Sequence, residues 1–371
     1  MVEWKKLGEV CKVHTGNQLN RADMLEYGPY PVVNGGREYS GYTDKKNETA
    51  NSITISQGGE SAGYVNWIDV DFWAGAHCYV VEDSEKVDKR YLYHVLKNKE
   101  RDIQISKQGA GIPGLNRDTL YKQIIPIPFI SEQTRIVGIL DTFTSSIESL
   151  KEQIAHRRKQ YEYYRDQLLD LEGKEGVEMK KLGEFGDVTK LAGFEFTEHV
   201  TYQDSGSIIA LRGLNVRDGH LDLSMVKYID GSNFSKLNRS KLIEDDMLFT
   251  YVGTIGNVAL IDVNEKYYLA PNVSRIRFDK KIINPKYALY YFLSDYFKRT
   301  QINKFLNSSS MKNLSMENIR KFELYLPSLS EQQRIVSILD TFEASMQNLE
   351  AQLKQREKQY EYYRNQLLTF E

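Results

Sequence analysis

SEQTRIVGILDTFTSSIESL at 131–150 returns, without a gap, as SEQQRIVSILDTFEASMQNL at 330–349. The match runs on through QYEYYRDQLL (160–169) and QYEYYRNQLL (359–368), and from Ser131 to Leu169 about two-thirds of the positions are identical. A repeat of this length sets the architecture before any single residue does. A shorter echo, KKLGE at 5–9 and again at 180–184, opens the segment before each copy. The chain reads as one phrase spoken twice: head, helix, head, helix.

The repeated segments have a period. Ile136, Leu140, Phe143, Ile147, Leu150, Ile154, Arg157, Tyr161, Tyr164, Leu168 and Leu171 follow one another at alternating spacings of 4 and 3, and the second copy repeats the series from Ile335 to Phe370. Apolar residues at these positions over several heptads are the signature of a coiled coil. Ser131 and Ser330 are the expected N-caps, with Gln333 closing a capping box on the second. Each helix should hold about 40 residues and span about 60 Å. Neither can bury its stripe alone, so the two should pair, and the connectivity favours an antiparallel pair with a head at each end. Arg157 and Arg356 occupy equivalent seam positions, either snorkelling or forming a polar layer that fixes register. Tyr161 and Tyr164 lie on the seam and read as packing. Tyr163 and Tyr362 fall off it in both copies and read as a partner-binding surface.

The fold class expected is α+β: two globular heads of mixed α/β structure, held apart by two long antiparallel coiled-coil helices with pseudo-two-fold symmetry. The boundaries are 1–130 for the first head, 131–172 for the first helix, 173–329 for a short linker and the second head, and 330–371 for the second helix. In the first head YPVVNGG, SITISQGG, GYVNWI and HCYVVE read as strands, and KRYLYHVLKNK as helix. In the second, SIIALRGLNV, MLFTYVG, VALIDV and VSRIRF read as strands, and PKYALYYFLSDYFKR as helix. ITISQGGESAGYVNWI is patterned like LFTYVGTIGNVALI, and HCYVVE like VSRIRF, whereas the first halves of the heads diverge.

Bulk properties narrow the classes. No apolar run approaches the roughly 20 residues of a membrane helix, and the N-terminus lacks the apolar stretch of a secretory signal. Cys11 and Cys78 are the only cysteines, with no CxxC, and the six histidines are scattered. No metal site is expected, and a cytoplasmic location is. A net charge of −2 is unusual for a nucleic-acid binder. A modest basic excess in 179–329 points to local patches.

LPSLSEQQRIVSILD (326–340), IPIPFISEQTRIVGILD (125–141), the two KKLGE phrases, RGLNV (212–216) and GTIGNVAL (253–260) carry a resemblance. They are similar to the specificity subunits of type I restriction–modification systems, and the likeness covers essentially the whole chain. It implies that each head reads one half of a bipartite, asymmetric DNA target. It implies partners too: two modification (methyltransferase) subunits docked on the helices, and restriction subunits. S-adenosylmethionine, ATP and magnesium would sit on those partners, and adenine methylation and ATP-dependent cleavage would be theirs. The chain itself lacks the [DNS]-P-P-[YF] tetrapeptide of an adenine pocket and a G-x-x-x-x-G-K-[ST] phosphate loop. No catalytic residue is expected.

Base edges are read by Arg, Lys, Asn and Gln, and phosphates by Lys, Arg, Ser, Thr and backbone N–H groups. In the first head the turn-rich stretches offer Arg37, Tyr39, Lys45, Ser56, Gln57, Ser61, Lys107 and Arg117 for double-stranded DNA. In the second they offer Arg212, Asn215, Arg217, Tyr251, Thr254, Asn257, Ser309, Lys312 and Asn313. For each alone an ordinary polar turn competes with the DNA reading. Two other functions compete as well. One is a non-DNA two-headed scaffold, and the other is a nucleotide-using enzyme head, against which the missing motifs argue.

Overall fold

The structure is a computed structural model and describes residues 2–106, 114–191, 193–306 and 313–370. It divides into two units, residues 1–152 with 350–371, and residues 153–349. The division cuts both long helices, because each half of a helix packs into the unit nearest to it.

Among the described residues the first unit holds nine strands: β1 (Glu3–Lys6), β2 (Val13–Thr15), β3 (Tyr30–Val33), β4 (Tyr42–Thr43), β5 (Ser52–Ser56), β6 (Val65–Ile68), β7 (Trp73–Ala74), β8 (Cys78–Val81) and β9 (Ile124–Ile127). They form a four-stranded sheet in the order β2-β8-β5-β6, a three-stranded sheet β4-β3-β7, and a ribbon β1-β9. Strand β5 is central and buried along its whole length, which suits its β-branched Ile53, Thr54 and Ile55. Strand β8 shows the period of two. Tyr79 and Val81 enter the core that also contains Ile136, Leu140 and Leu368, whereas Cys78 and Val80 join Val33, Ile68 and Phe72 on the other face.

The second unit holds β10 (Glu178–Lys181), β11 (Gly186–Lys190), β12 (Ile209–Leu211), β13 (Val216–Arg217), β14 (His220–Leu221), β15 (Lys227–Tyr228), β16 (Met247–Thr250), β17 (Val258–Leu260), β18 (Tyr267–Leu269), β19 (Val273–Phe278) and β20 (Glu323–Leu326). Its sheets are β11-β19-β16-β17, β15-β12-β18 and β10-β20, with β13-β14 as an added hairpin. Strand for strand this is the first unit again, down to the one parallel pair of each three-stranded sheet, β3 with β7 and β12 with β18. The divergent first halves of the heads therefore share a topology as well.

Each long helix runs 40 residues, Ile130–Leu169 and Leu329–Leu368. They begin one residue earlier than expected, so Ser131 and Ser330 lie inside the first turn rather than capping it. Ser328 Oγ accepts the Glu331 N–H at 3.3 Å, and in the first copy the Phe129 carbonyl accepts the Glu132 N–H at 2.9 Å. Gln333 closes no capping box; its Oε1 accepts from Asn284 Nδ2 at 2.9 Å. Within each unit the two helices meet antiparallel. In the first, Phe143 stacks on Tyr363 at 5.3 Å and Lys151 pairs with Glu357 at 4.0 Å. In the second, Tyr164 stacks on Phe342 at 5.5 Å.

The two seam arginines end over aromatic rings of the opposite helix, Arg157 at 5.8 Å from Phe342 and Arg356 at 5.6 Å from Phe143. They register the pair by cation–π contact rather than by a polar layer. Toward its end the first helix buries Tyr161, Arg165 and Leu169 instead of Tyr164 and Leu168. A helix of 3.6 residues per turn drifts about 20° per heptad, and here the drift turns the stripe from its partner toward the second unit's core. Leu171 is buried but lies beyond the helix.

One joint, made twice, fastens each sheet to its long helix. Gln133 Nε2 donates to the Pro128 carbonyl at 2.9 Å and its Oε1 accepts the Asp88 N–H at 2.8 Å. Gln332 repeats this with Pro327 and Asn284 at 2.9 and 2.8 Å. Asp88 and Asn284 are the N-caps of the short helices Lys89–Asn98 and Pro285–Leu293. Each short helix then presents two residues to one aspartate: Arg90 and His94 to Asp141, Lys286 and Tyr290 to Asp340. The second short helix stops at Ser294, so the expected single helix over 285–299 is broken there.

Candidate nucleic-acid interface

In both heads the loop after the central strand is closed in the same way. The Ser56 N–H donates to the Tyr64 carbonyl at 2.9 Å and the Gly63 N–H to the Ser56 carbonyl at 2.8 Å. In the second head the Thr250 N–H donates to Asn257 and the Gly256 N–H to Thr250, both at 3.0 Å. Gly63 and Gly256 hold φ values of 86° and 93°, which glycine adopts without a Cβ penalty. At Gly256 a Cβ would stand 2.5 Å from Ile302 Cδ1. Another segment then pairs with the start of each loop: the Leu115 N–H donates to Gln57 O at 2.7 Å, and the Leu314 N–H to Tyr251 O at 3.0 Å.

Two further segments complete the cluster. The Gly75 N–H donates to Val33 O at 2.8 Å and the Ala270 N–H to Leu211 O at 3.0 Å, which makes Asn34-Gly35 the counterpart of Arg212-Gly213. The Gln57 N–H donates to His77 O at 2.9 Å, and Asn272 lines a concavity with Arg212 and Thr254. In each head, stretches far apart in sequence meet as one loop cluster at one edge of the sheets.

The first head's residues are placed as follows. Arg37 is exposed and its guanidinium lies 5.5 Å from the Tyr64 ring, which Lys97 Nζ also approaches, at 4.1 Å. Gln57 Nε2 donates to Tyr79 Oη at 3.1 Å, and Arg117 sits over the same tyrosine ring at 5.8 Å. Ser61 is half-buried, its carbonyl accepting the Tyr64 N–H at 2.8 Å. Ser56 is buried in the ladder. Tyr39 is half-exposed with its edge toward Tyr42, and burial raises its hydroxyl pKa. Lys45 is exposed in the turn after β4, and among the described residues no contact ties it to the cluster. Lys107 lies outside the described residues.

In the second head a concavity of about 530 Å³ contains Arg212, Thr254 and, unanticipated from sequence, Tyr202, Leu214, Val252 and Asn272. Arg212 Nη2 donates to the Met225 carbonyl at 2.8 Å. Tyr251 is largely buried below Lys190, whose Nζ is 5.8 Å from its ring, and burial raises its hydroxyl pKa. Asn257 Nδ2 donates to Val216 O at 3.1 Å and so ties two loops together. Arg217 is exposed beside Asp222, at 3.4 Å, and Asn313 is exposed where its segment bridges Val252. Asn215 is fully buried and its carboxamide is spent on Arg212 N–H and on the Asp222 and Met225 carbonyls. It braces the loop and offers no free group at the surface. Ser309 and Lys312 lie outside the described residues.

Lys97, Lys190, His77 and Asn272 also lie at these clusters, each in or beside a regular element rather than in a glycine-rich turn. No signal in the sequence marks His77 and Asn272, because strand pairing sets the register that places them. Ser56 pairs with Cys78 and Thr250 with Val273, so Cys78, not His77, corresponds to Val273. On the long helices Tyr163 and Tyr362 are exposed, at 61% and 58%, each edge-on to the next tyrosine. Among the described residues no three His, Cys, Asp or Glu side chains gather as a metal site, and no helix is long and apolar enough to cross a membrane.

The family model described as the type I restriction modification DNA specificity domain matches residues 1–156 and 174–357. The chain belongs to the type I restriction–modification specificity family. A Haemophilus influenzae protein described as a type I restriction enzyme specificity subunit is 31% identical over 392 residues, covering 100% of this chain and 96% of that one. An Escherichia coli type I restriction enzyme specificity subunit is 27% identical over 403 residues, covering 100% and 94%. The crystal structure of the S subunit from M. genitalium matches with a TM-score of 0.68 at 17% identity, over 100% of this chain and 97% of that one. With the family in place, the doubled Glu-Gln phrase has a physical account. Gln133 and Gln332 are the buried halves of the two joints, while Glu132 and Glu331 pair at the surface with Arg135 and Arg334 at 2.6 Å.

Proposed function

We propose that the chain supplies the DNA-sequence specificity of a type I restriction–modification complex, each head reading one half of a bipartite, asymmetric target. The paired helices set the gap between the half-sites and dock the modification subunits, with Tyr163 and Tyr362 in that surface. Methyl transfer from S-adenosylmethionine and ATP- and magnesium-dependent cleavage belong to the partner subunits. One observation carries this reading. The two heads share three sheets and one loop cluster, yet fill the cluster differently, with Arg37, Gln57 and Arg117 in one and Arg212, Tyr251 and Thr254 in the other. A common frame with unlike contact residues suits two readers of unlike sequences.

The test is a head exchange. Residues 1–130 are replaced by the first head of a relative, the hybrid is expressed with its modification subunit, and methylated sites are mapped across a genome. One half of the motif should change while the other half and the gap persist. A motif that changes in both halves, or no bipartite motif at all, would count against the reading.

A further inference from the structure

The sheet register sets His77 and Asn272 at one place in the two heads, each the residue before the strand that pairs with the central one. Both side chains are exposed, and neither makes a hydrogen bond among the described residues. Asn272 holds a φ of 70°, a left-handed conformation that asparagine tolerates better than most side chains. It lines the concavity that also contains Arg212, Thr254 and Tyr202. A surface carboxamide that makes no side-chain hydrogen bond among the described residues, in a concavity it shares with a guanidinium, is equipped to read a base. Its planar donor and acceptor match N6 and N7 of adenine in the major groove. The imidazole of His77 offers one donor or acceptor at the matching position of the other head.

We infer that Asn272 is a specificity-determining residue for an adenine in the half-site read by the second head, and that His77 fills the equivalent role in the first. This rests on the functional reading above and names residues within it. The divergent heads keep the strand register here, although only the second head holds a left-handed φ at this position. The place of the reading residue is fixed by strand register, so its identity is free to change.

The experiment selects a random-sequence duplex pool with the full chain assembled with its modification subunits, then sequences the bound fraction. Asn272→Gly accepts the same φ and should relax one position of the second half-site, with a loss of discrimination of roughly 5- to 150-fold. Asn272→Asp keeps an acceptor and removes the donors, and should move that position from adenine toward cytosine. His77→Ala should relax one position of the first half-site only. Should the Asp variant fail to fold, the Gly variant decides alone. A wild-type bipartite motif left unchanged by Asn272→Gly and His77→Ala would overturn the assignment while leaving the functional reading intact. A wild-type pool with no bipartite motif would overturn both.

Discussion

His94 Nε2 lies 2.7 Å from Asp141 Oδ1 in the first unit, and His94 is fully buried. The residue in its place in the second unit is Tyr290, whose hydroxyl donates to Asp340 at 2.5 Å. The two joints are thus built alike but titrate differently. Burial pulls the His94 pKa down, against the hydrogen bond it donates to Asp141; Arg90 and Arg364 pull it down further. His94 Nδ1 has no hydrogen-bond partner among the described residues, as suits a neutral ring that donates from Nε2. For Asp141, burial works upward but is outweighed by hydrogen bonds from His94 and Arg90, and its pKa is lowered.

The first joint should therefore weaken in mild acid. A base whose folded pKa is lowered stays neutral in the fold while the unfolded chain takes up a proton. Its contribution is complete above the unfolded value near 6.5 and is lost as pH falls from there toward the folded value. Urea unfolding of the full chain at about pH 7.5 and about pH 5.5 should show a loss of stability that His94→Gln, uncharged throughout, reduces. An equal loss in the variant would show that His94 does not carry it. The Asp141 contribution is present above the ordinary carboxylate range and disappears only in stronger acid.

Gln332→Leu should be among the costliest polar substitutions in the second unit. It leaves unpaired the Asn284 N–H and the carbonyls of Pro327 and Ile282, which Gln332 holds at 2.8, 2.9 and 3.1 Å. Each buried orphan costs about 1–3 kcal/mol, so a loss of about 3 kcal/mol or more is expected in chemical denaturation. Gln333→Ala, at the exposed neighbour, should stay within about 0.5 kcal/mol. Similar losses for the two would refute the joint.

Removing seven residues from each long helix at equivalent places keeps both stripes in phase. The helices shorten by about 10 Å, which at about 3.4 Å per base pair is roughly three base pairs. Those base pairs also turn one half-site by roughly 100° about the duplex, at 10–10.5 base pairs per turn. Methylation mapping should find a shorter gap or lost binding. An active variant that keeps the original gap would show that the helices do not set it.

The sequence by itself determined the architecture. The doubled phrase with heptad spacing from Ile136 to Tyr161 required two long helices, neither of which could bury its stripe alone, and the family signature rode on the same residues. It also marked the glycine loops of both heads, because Gly63 and Gly256 serve a backbone conformation that other residues resist. Tertiary structure alone decided the rest. The drift of a 3.6-residue turn moved burial from Tyr164 to Arg165. Hydrogen-bond supply moved the helix caps to Phe129 and Ser328 and spent Asn215 inside its loop. Above all, strand register set His77 and Asn272 at equivalent places in their own heads and gathered Arg37, Gln57 and Arg117 around two tyrosines. Register depends on which strands pair across long stretches of chain, and the period of two that governs it looks the same when slipped by two residues. No local pattern of residues could have settled it.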